Sequence, residues 1–388
     1  VDRIVDLSGI PTDFIEQNEL GYLLEDDYLT PEAILITQSE QVDFKLATGS
    51  VYKMYADTLD DLVKKRRLDT FDLPEEMLLL IEYSWRNKHQ HIIGRFDFGD
   101  GVDADSPKLL EYNADTPTLV PESGMLQEAF KAMYSKPDVQ QFNMLDEDLV
   151  AGFNKLADAN PTSHHSILFT SLGYEEDRAN LQPLMDAAAT AGFDVAYADL
   201  PDIDFDENEG IFLEGNNGEF VQYDYLYKLV PWEFICFEEP ELLKILHKLV
   251  TKDLVYVLNP AYTIIFQSKQ FLENVYDKFS SSKYLLKTKS DRSFFASQRC
   301  VEKVVFGRLG ENIKVYSEND IVIEKTGGDF GHFPSVFQEF VDLYKDEDGD
   351  LYQASVFTVN GVPSCLSFRR GEKLIIDDDA EFIPHFII

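Results

Sequence analysis

The sequence predicts an α/β (α+β) fold: a helical start, then a small parallel β-α-β subdomain, then a mainly antiparallel C-terminal region. Three observations predict it. Helix-opening signals dominate residues 1–90, short apolar strands flank a helix between 165 and 258, and strand–turn–strand spacing fills most of residues 261–388.

Within residues 1–90, Thr30-Pro31-Glu32 reads as an N-cap with Pro at the first helical position. Leu73-Pro74-Glu75-Glu76 opens a second helix carrying Met77 to Trp85. Residues 91–135 hold a strand from Ile92 to Phe98, a polar turn to Pro107, a strand from Lys108 to Asn113 and a helix starting near Glu122. Residues 136–260 hold a strand at Ser166–Phe169, a helix from Glu175 closed by Gly192, and a strand at Phe193–Tyr197. A helix from Glu239 and a strand ending at Leu258 come next. Residues 261–388 read mainly as strands, with Asn360-Gly361 as a hairpin turn between two of them. The acidic stretches Asp202–Glu209, Asp346–Asp350 and Asp377–Asp379 read as loops.

The formal net charge is −37, which argues against unspecific nucleic-acid binding, where basic surface must meet phosphate. The acidity fits a solvated surface or a field that attracts a polycationic substrate, and charge alone leaves both open. No apolar run approaches the roughly 18 residues of a membrane span. Val1-Asp2-Arg3-Ile4 shows none of the regions of a secretory leader. Cys236, Cys300 and Cys365 are far apart and form no framework, which predicts a reducing, cytoplasmic setting. His164-His165 carries no zinc spacing.

Two constellations carry chemistry. In the first, Arg95 and Asp97 share one strand face, Glu111 and Asn113 share another, and one hairpin register sets Asp97 opposite Glu111. Two carboxylates and an amide oxygen beside an arginine suit magnesium. Periodicity alone favours an ordinary hairpin whose polar face meets solvent. The second is Lys303 to Asn312, with Gly307-Arg308-Leu309-Gly310 between two strands. Its glycines permit close backbone approach to phosphate, although a plain tight turn has the same pattern.

These strings resemble the glutathionylspermidine synthase family, synthetase part, of the ATP-grasp superfamily, over roughly residues 90–388. The carriers are Arg-x-Asp followed by Lys108-x-x-Glu111-Tyr112-Asn113-Ala114-Asp115, then Lys303-x-x-x-Gly307-Arg308-x-Gly310-x-Asn312, then Phe337-Gln338. The resemblance implies an ATP-grasp-type fold and an ATP-dependent carboxylate–amine ligase working through an acylphosphate. It implies ATP with magnesium, two ions, on Asp97, Glu111 and Asn113. It places Arg95 near the transferred phosphate, Lys269, Lys303, Gly307, Gly310 and Gln338 at the nucleotide, and Arg308 on a loop that closes over the reacting centre. Counting back without gaps from Ile383-Pro384, Arg369 falls on the catalytic arginine.

Thr116 and Thr118 match acid-substrate positions, Glu122 matches a family glutamate and is a substrate-binding candidate, and Glu175, Glu176 and Glu381 are the candidates for ammonium contacts. Acidic residues in a first helical turn also arise simply by offsetting the helix dipole. The implied substrates are a glutathione-like acid and a polyamine-like amine, with a homodimer left open. A member without the amidase domain is implied, since no Cys precedes Cys236. Two departures stand out: Arg370 follows the catalytic arginine where Gly, Glu or Asp is usual, and Asp377-Asp378 replaces a lysine pair.

Overall fold

In the computed structural model, residues 3–25, 27–136, 138–160, 165–215 and 218–388 are described. His164 and the first two residues lie outside them. Strands β1 (Ile4–Asp6) and β2 (Glu32–Ile36) pair antiparallel. Thr30-Pro31-Glu32 therefore opens a strand and corrects the predicted helix. The helix begins instead after Thr37, whose hydroxyl accepts the Glu40 N–H at 3.2 Å while the Glu40 carboxylate accepts the Thr37 N–H at 2.6 Å. From this reciprocal cap runs Gln38–Lys64, which buries Phe44, Val51, Tyr55 and Leu59 along one stripe. Pro74 precedes the predicted second helix, Glu75–Arg86.

Strands β3 (Ile93–Gly99) and β4 (Lys108–Asn113) form the hairpin in the expected register, Asp97 facing Glu111 and Arg95 facing Asn113. Alternation decides which face is which. Phe96 and Tyr112 stack at 3.6 Å between ring centroids, and Tyr55 meets both edge-on, so Arg95 and Asp97 emerge on the opposite face.

The β-α-β unit is present as β5 (Ser166–Ser171), the helix Glu175–Thr190 and β6 (Asp194–Asp199), which run parallel. A meander comes next: β7 (Asp204–Asp206), β8 (Gly210–Glu214) and β9 (Phe220–Tyr223). Asp204–Asp206 is thus a strand inside a stretch predicted as loop, paired through its backbone while its aspartates face outward. Strands β10 (Tyr225–Lys228) and β11 (Tyr256–Leu258) complete a four-stranded parallel sheet, β11-β10-β5-β6.

Two helices, Thr263–Gln267 and Lys269–Phe279, occupy the start of the region predicted mainly as strands. Beyond them β12 (Thr288–Lys289), β13 (Cys300–Val304), β14 (Lys314–Tyr316), β15 (Val322–Lys325) and β16 (Ser335–Glu339) form an antiparallel sheet in the order β12-β16-β13-β14-β15. The chain then adds β17 (Tyr344–Lys345), β18 (Leu351–Val359), β19 (Val362–Gly371), β20 (Glu381–Ile383) and β21 (His385–Ile387). Asn360 and Gly361, both left-handed (φ 51° and 75°), make the two-residue turn between β18 and β19. β18 pairs with β3, so the hairpin sits in one sheet, β20-β19-β18-β3-β4, while β21 runs parallel to β2. Among the described residues, no helix is long and apolar enough to cross a membrane.

Candidate active site

The polar face of β3 and β4 forms one wall of a cleft of about 970 Å³. Asp97 is buried there and fully engaged. Arg95 donates to both of its oxygens (2.9 and 3.0 Å), Asn113 donates its amide at 2.9 Å, and Ser355 donates from the neighbouring β18 at 2.8 Å. The third arm of Arg95 reaches the Thr118 carbonyl at 2.8 Å. Burial would raise the Glu111 carboxyl, but Lys269, Lys303 and Arg95 outweigh it and hold it near about 2. An ionised Glu111 beside Asp97 and an amide is a hard-oxygen donor set of the type magnesium takes. Among the described residues no three His, Cys, Asp or Glu side chains cluster as a metal site, and the set here draws its third donor from an amide.

Facing the hairpin is a cationic wall. Lys303, buried on β13, donates to the Gln338 amide oxygen at 2.8 Å and the Leu110 carbonyl at 3.2 Å. Burial and the neighbouring Lys269 lower its ammonium to about 8, against the pull of Glu111. Lys269, at the start of its helix, donates to the Gly307 carbonyl at 2.7 Å and meets Glu111 at 3.1 Å. The glycine turn is tied down behind: Thr326 donates to the Gly310 carbonyl at 2.5 Å and Asn312 N–H to Gly327 at 2.9 Å. Gly310 is left-handed (φ 70°), and a Cβ there would lie 2.9 Å from the Asp377 Cα, so glycine is required twice over. Arg308, next in the turn, ion-pairs with buried Glu233, which also accepts from Gln267 at 3.2 Å.

The far end of the cleft is acidic. Glu175 and Glu176 occupy the first turn of the helix Glu175–Thr190, and burial, with Asp378 nearby, raises the Glu176 carboxyl. Burial and Glu176 push Asp177 up to about 6. Glu122 lies on the cleft floor and accepts from the Tyr28 hydroxyl at 3.0 Å. Arg369 donates to the carbonyls of Ala380 (3.1 Å) and Asp378 (3.3 Å).

All the residues singled out from the sequence line this one cleft except Glu381. That carboxylate faces a separate hollow and accepts from Arg370 at 2.6 Å, the arginine that departs from the family pattern and also meets Glu32 at 2.5 Å. Arg370 thus draws Glu381 away from the cleft. Asp378 lines the cleft. Sequence reasoning did not single out Tyr28, Ser355, Gln267 or Glu233 as site residues; Ser355 gives no local signal, because only its pairing opposite Asp97 brings it in. Lys228 and Asp115, fully buried, pair at 2.8 Å beneath Trp232 and belong to the core. Burial raises the thiols of Cys236, Cys300 and Cys365, all buried, and the Cys365 thiol also donates to the Ser123 carbonyl at 3.0 Å.

Comparison with known proteins shows the family. The family description "Glutathionylspermidine synthase preATP-grasp" matches residues 12–388. A Haemophilus influenzae protein bearing the name acid–amine ligase is 26% identical over 355 residues, covering 88% of this chain and 86% of its own length. The bifunctional glutathionylspermidine synthetase/amidase of Escherichia coli is 26% identical over 381 residues, covering 91% of this chain; the chain spans 59% of that relative's length. Among solved structures, a glutathione synthetase-like effector from Globodera pallida superposes with a TM-score of 0.57 at 11% identity, over 97% of this chain and 98% of its own, which speaks to the fold. The chain belongs to the glutathionylspermidine synthase preATP-grasp family and is an ATP-dependent ligase.

Proposed function

We propose that this chain joins a glutathione-like carboxylate to a polyamine-like amine, forming an amide through an acylphosphate in a cytoplasmic setting. One observation carries the reading: a single cleft joins a cationic wall of Arg95, Lys269, Lys303, Arg308 and Arg369 to an acidic end of Glu122, Glu175, Glu176 and Asp378. Phosphate chemistry suits the first and an ammonium suits the second.

Lys269 and Lys303 neutralise the nucleotide phosphates, and Gln338 holds Lys303 in place. Asp97, Glu111 and Asn113 would hold magnesium, which would supply charge neutralisation at the reacting phosphate. Arg95, fixed by Asp97 and Thr118, faces the γ-phosphoryl as it passes to the acid, which Thr116 and Thr118 orient. Arg308 leaves Glu233 to cover the reacting carbonyl, and the turn at Gly307 excludes water from the acylphosphate. Arg369 steadies the oxyanion as the amine attacks.

The test is ADP release with ATP, Mg²⁺, glutathione and spermidine, followed by profiling of other acids and amines. ADP formation that needs both an acid and an amine supports the reading. No acid-dependent release with any pair overturns it. A preference for amino acids over polyamines moves the amine assignment to a peptide ligase.

A further inference from the structure

We infer that Glu122 is the catalytic residue that takes the proton from the attacking amine. The assignment rests on the ligase reading above and adds a proton acceptor to it.

Glu122 begins a short wide helical turn, Glu122–Leu126, and lines the cleft floor at 2% exposure. Its two oxygens differ. One accepts the Tyr28 hydroxyl at 3.0 Å; the other is buried and has no hydrogen-bond partner among the described residues. A buried carboxylate oxygen without a donor costs free energy unless a ligand supplies one. The Nε of Arg369, also on the cleft, is likewise buried and unpartnered among the described residues. A bare acceptor and a bare donor thus belong to two residues lining the same cleft, the first suited to an ammonium N–H and the second to the oxygen of the carbonyl under attack.

The titratable and charged groups that act on Glu122 are Tyr22 and Tyr28 from the N-terminal part, Glu176 from the helix Glu175–Thr190, and Arg369 from β19. Burial raises its carboxyl to about 7 and Glu176 adds to this, while its own backbone N–H, Tyr28 and Arg369 pull the other way. A base of that strength works best near neutral pH. The protons balance. The ammonium gives one proton to Glu122, and the neutral amine attacks the acyl carbon. The C–N bond forms, the C–O bond to phosphate breaks, and the nitrogen's second proton leaves with the phosphate. Glu122 then releases its proton to solvent through the cleft.

The test compares spermidine with hydroxylamine, an amine already neutral at pH 7, in the presence of ATP, Mg²⁺ and glutathione. Glu122→Gln keeps the shape and the bond to Tyr28. It is expected to slow amide formation with spermidine by about 10²- to 10⁴-fold and hydroxamate formation far less. The loss of wild-type rate as pH falls through about 7 is expected to vanish with it. Tyr28→Phe, which removes only a donor to the carboxylate, is expected to move that limb to higher pH. Equal slowing with both nucleophiles, an unchanged acid limb, or a rise in the glutathione KM alone overturns the assignment. Absence of ATP-dependent hydroxamate in the wild-type chain overturns the ligase reading as well, and so separates the two failures.

Discussion

Lys269 stands between Glu111 and the Gly307 carbonyl, 3.1 Å from one and 2.7 Å from the other, so a single ammonium joins the hairpin to the glycine turn. Replacing it by Met leaves an ionised Glu111 short of its nearest counter-charge and releases the turn. Charge-assisted hydrogen bonds of this type contribute about 1.5–3 kcal/mol, which corresponds to roughly 10- to 100-fold in nucleotide affinity. Calorimetric titration with ATP and Mg²⁺ checks this, and an unchanged Kd for Lys269→Met removes the lysine from the nucleotide site.

Asp97→Asn strands the buried Arg95 guanidinium. Breaking a buried pair on one side costs about 3–5 kcal/mol, and turnover is expected to disappear with the carboxylate. Ser355→Ala deletes one neutral donor to Asp97 and is expected to cost about 1–3 kcal/mol, with a higher Mg²⁺ requirement. Urea midpoints and Mg²⁺ dependence measured together separate the two effects. Full activity in Asp97→Asn rules it out as a metal ligand.

Asp115 and Lys228 are a second buried pair, with the Trp232 N–H as a further donor to Asp115 at 2.7 Å. Burial raises the one carboxyl and lowers the other ammonium, so each ion depends on its partner. Asp115→Asn is expected to lose about 3–5 kcal/mol, and adding Lys228→Met to recover part of that loss. A double mutant that loses the sum of both single changes shows that the pair is uncoupled.

Acid sensitivity is expected from buried histidines, His91 and His385 among them. Burial lowers His91 to about 4 and His385 to about 3. The unfolded chain takes up protons first, from about 6.5 downward. Their share of stability is therefore complete above pH 6.5 and shrinks as pH falls toward the folded values. Between pH 7 and 5 each is expected to cost about 2 kcal/mol. Unfolding midpoints at the two pH values check this, and His385→Gln is expected to reduce the pH dependence by its own portion.

What the sequence made legible was local. Alternation along Arg95–Asp97 and Glu111–Asn113 was enough for the shared faces and offered the Asp97–Glu111 register as one choice, and Asn360-Gly361 was enough for its turn. What it hid was long-range. Thr30-Pro31 precedes a strand because Ile34 and Ile36 align with His385 and Ile387 at the far end of the chain. Tyr28 gains meaning only where it meets Glu122, and Glu381 lost its expected place to Arg370 beside it in the sheet. The helix Lys269–Phe279 was read for its lysine and missed as an element, although Phe271, Leu272 and Val275 are buried along it.

The pairing of Asp97 with Glu111 also says where the protein tolerates change in length. One residue inserted between Lys108 and Glu111 would swap the two faces of β4, sending Tyr112 into the cleft and two of its oxygen donors among Tyr55 and Phe96. At Ala104-Asp105, exposed in the connecting turn, an added peptide changes no such parity. A fluorescent reporter or affinity tag grafted there keeps company with solvent, a few residues along the chain from a strand that holds two of the cleft's oxygen donors.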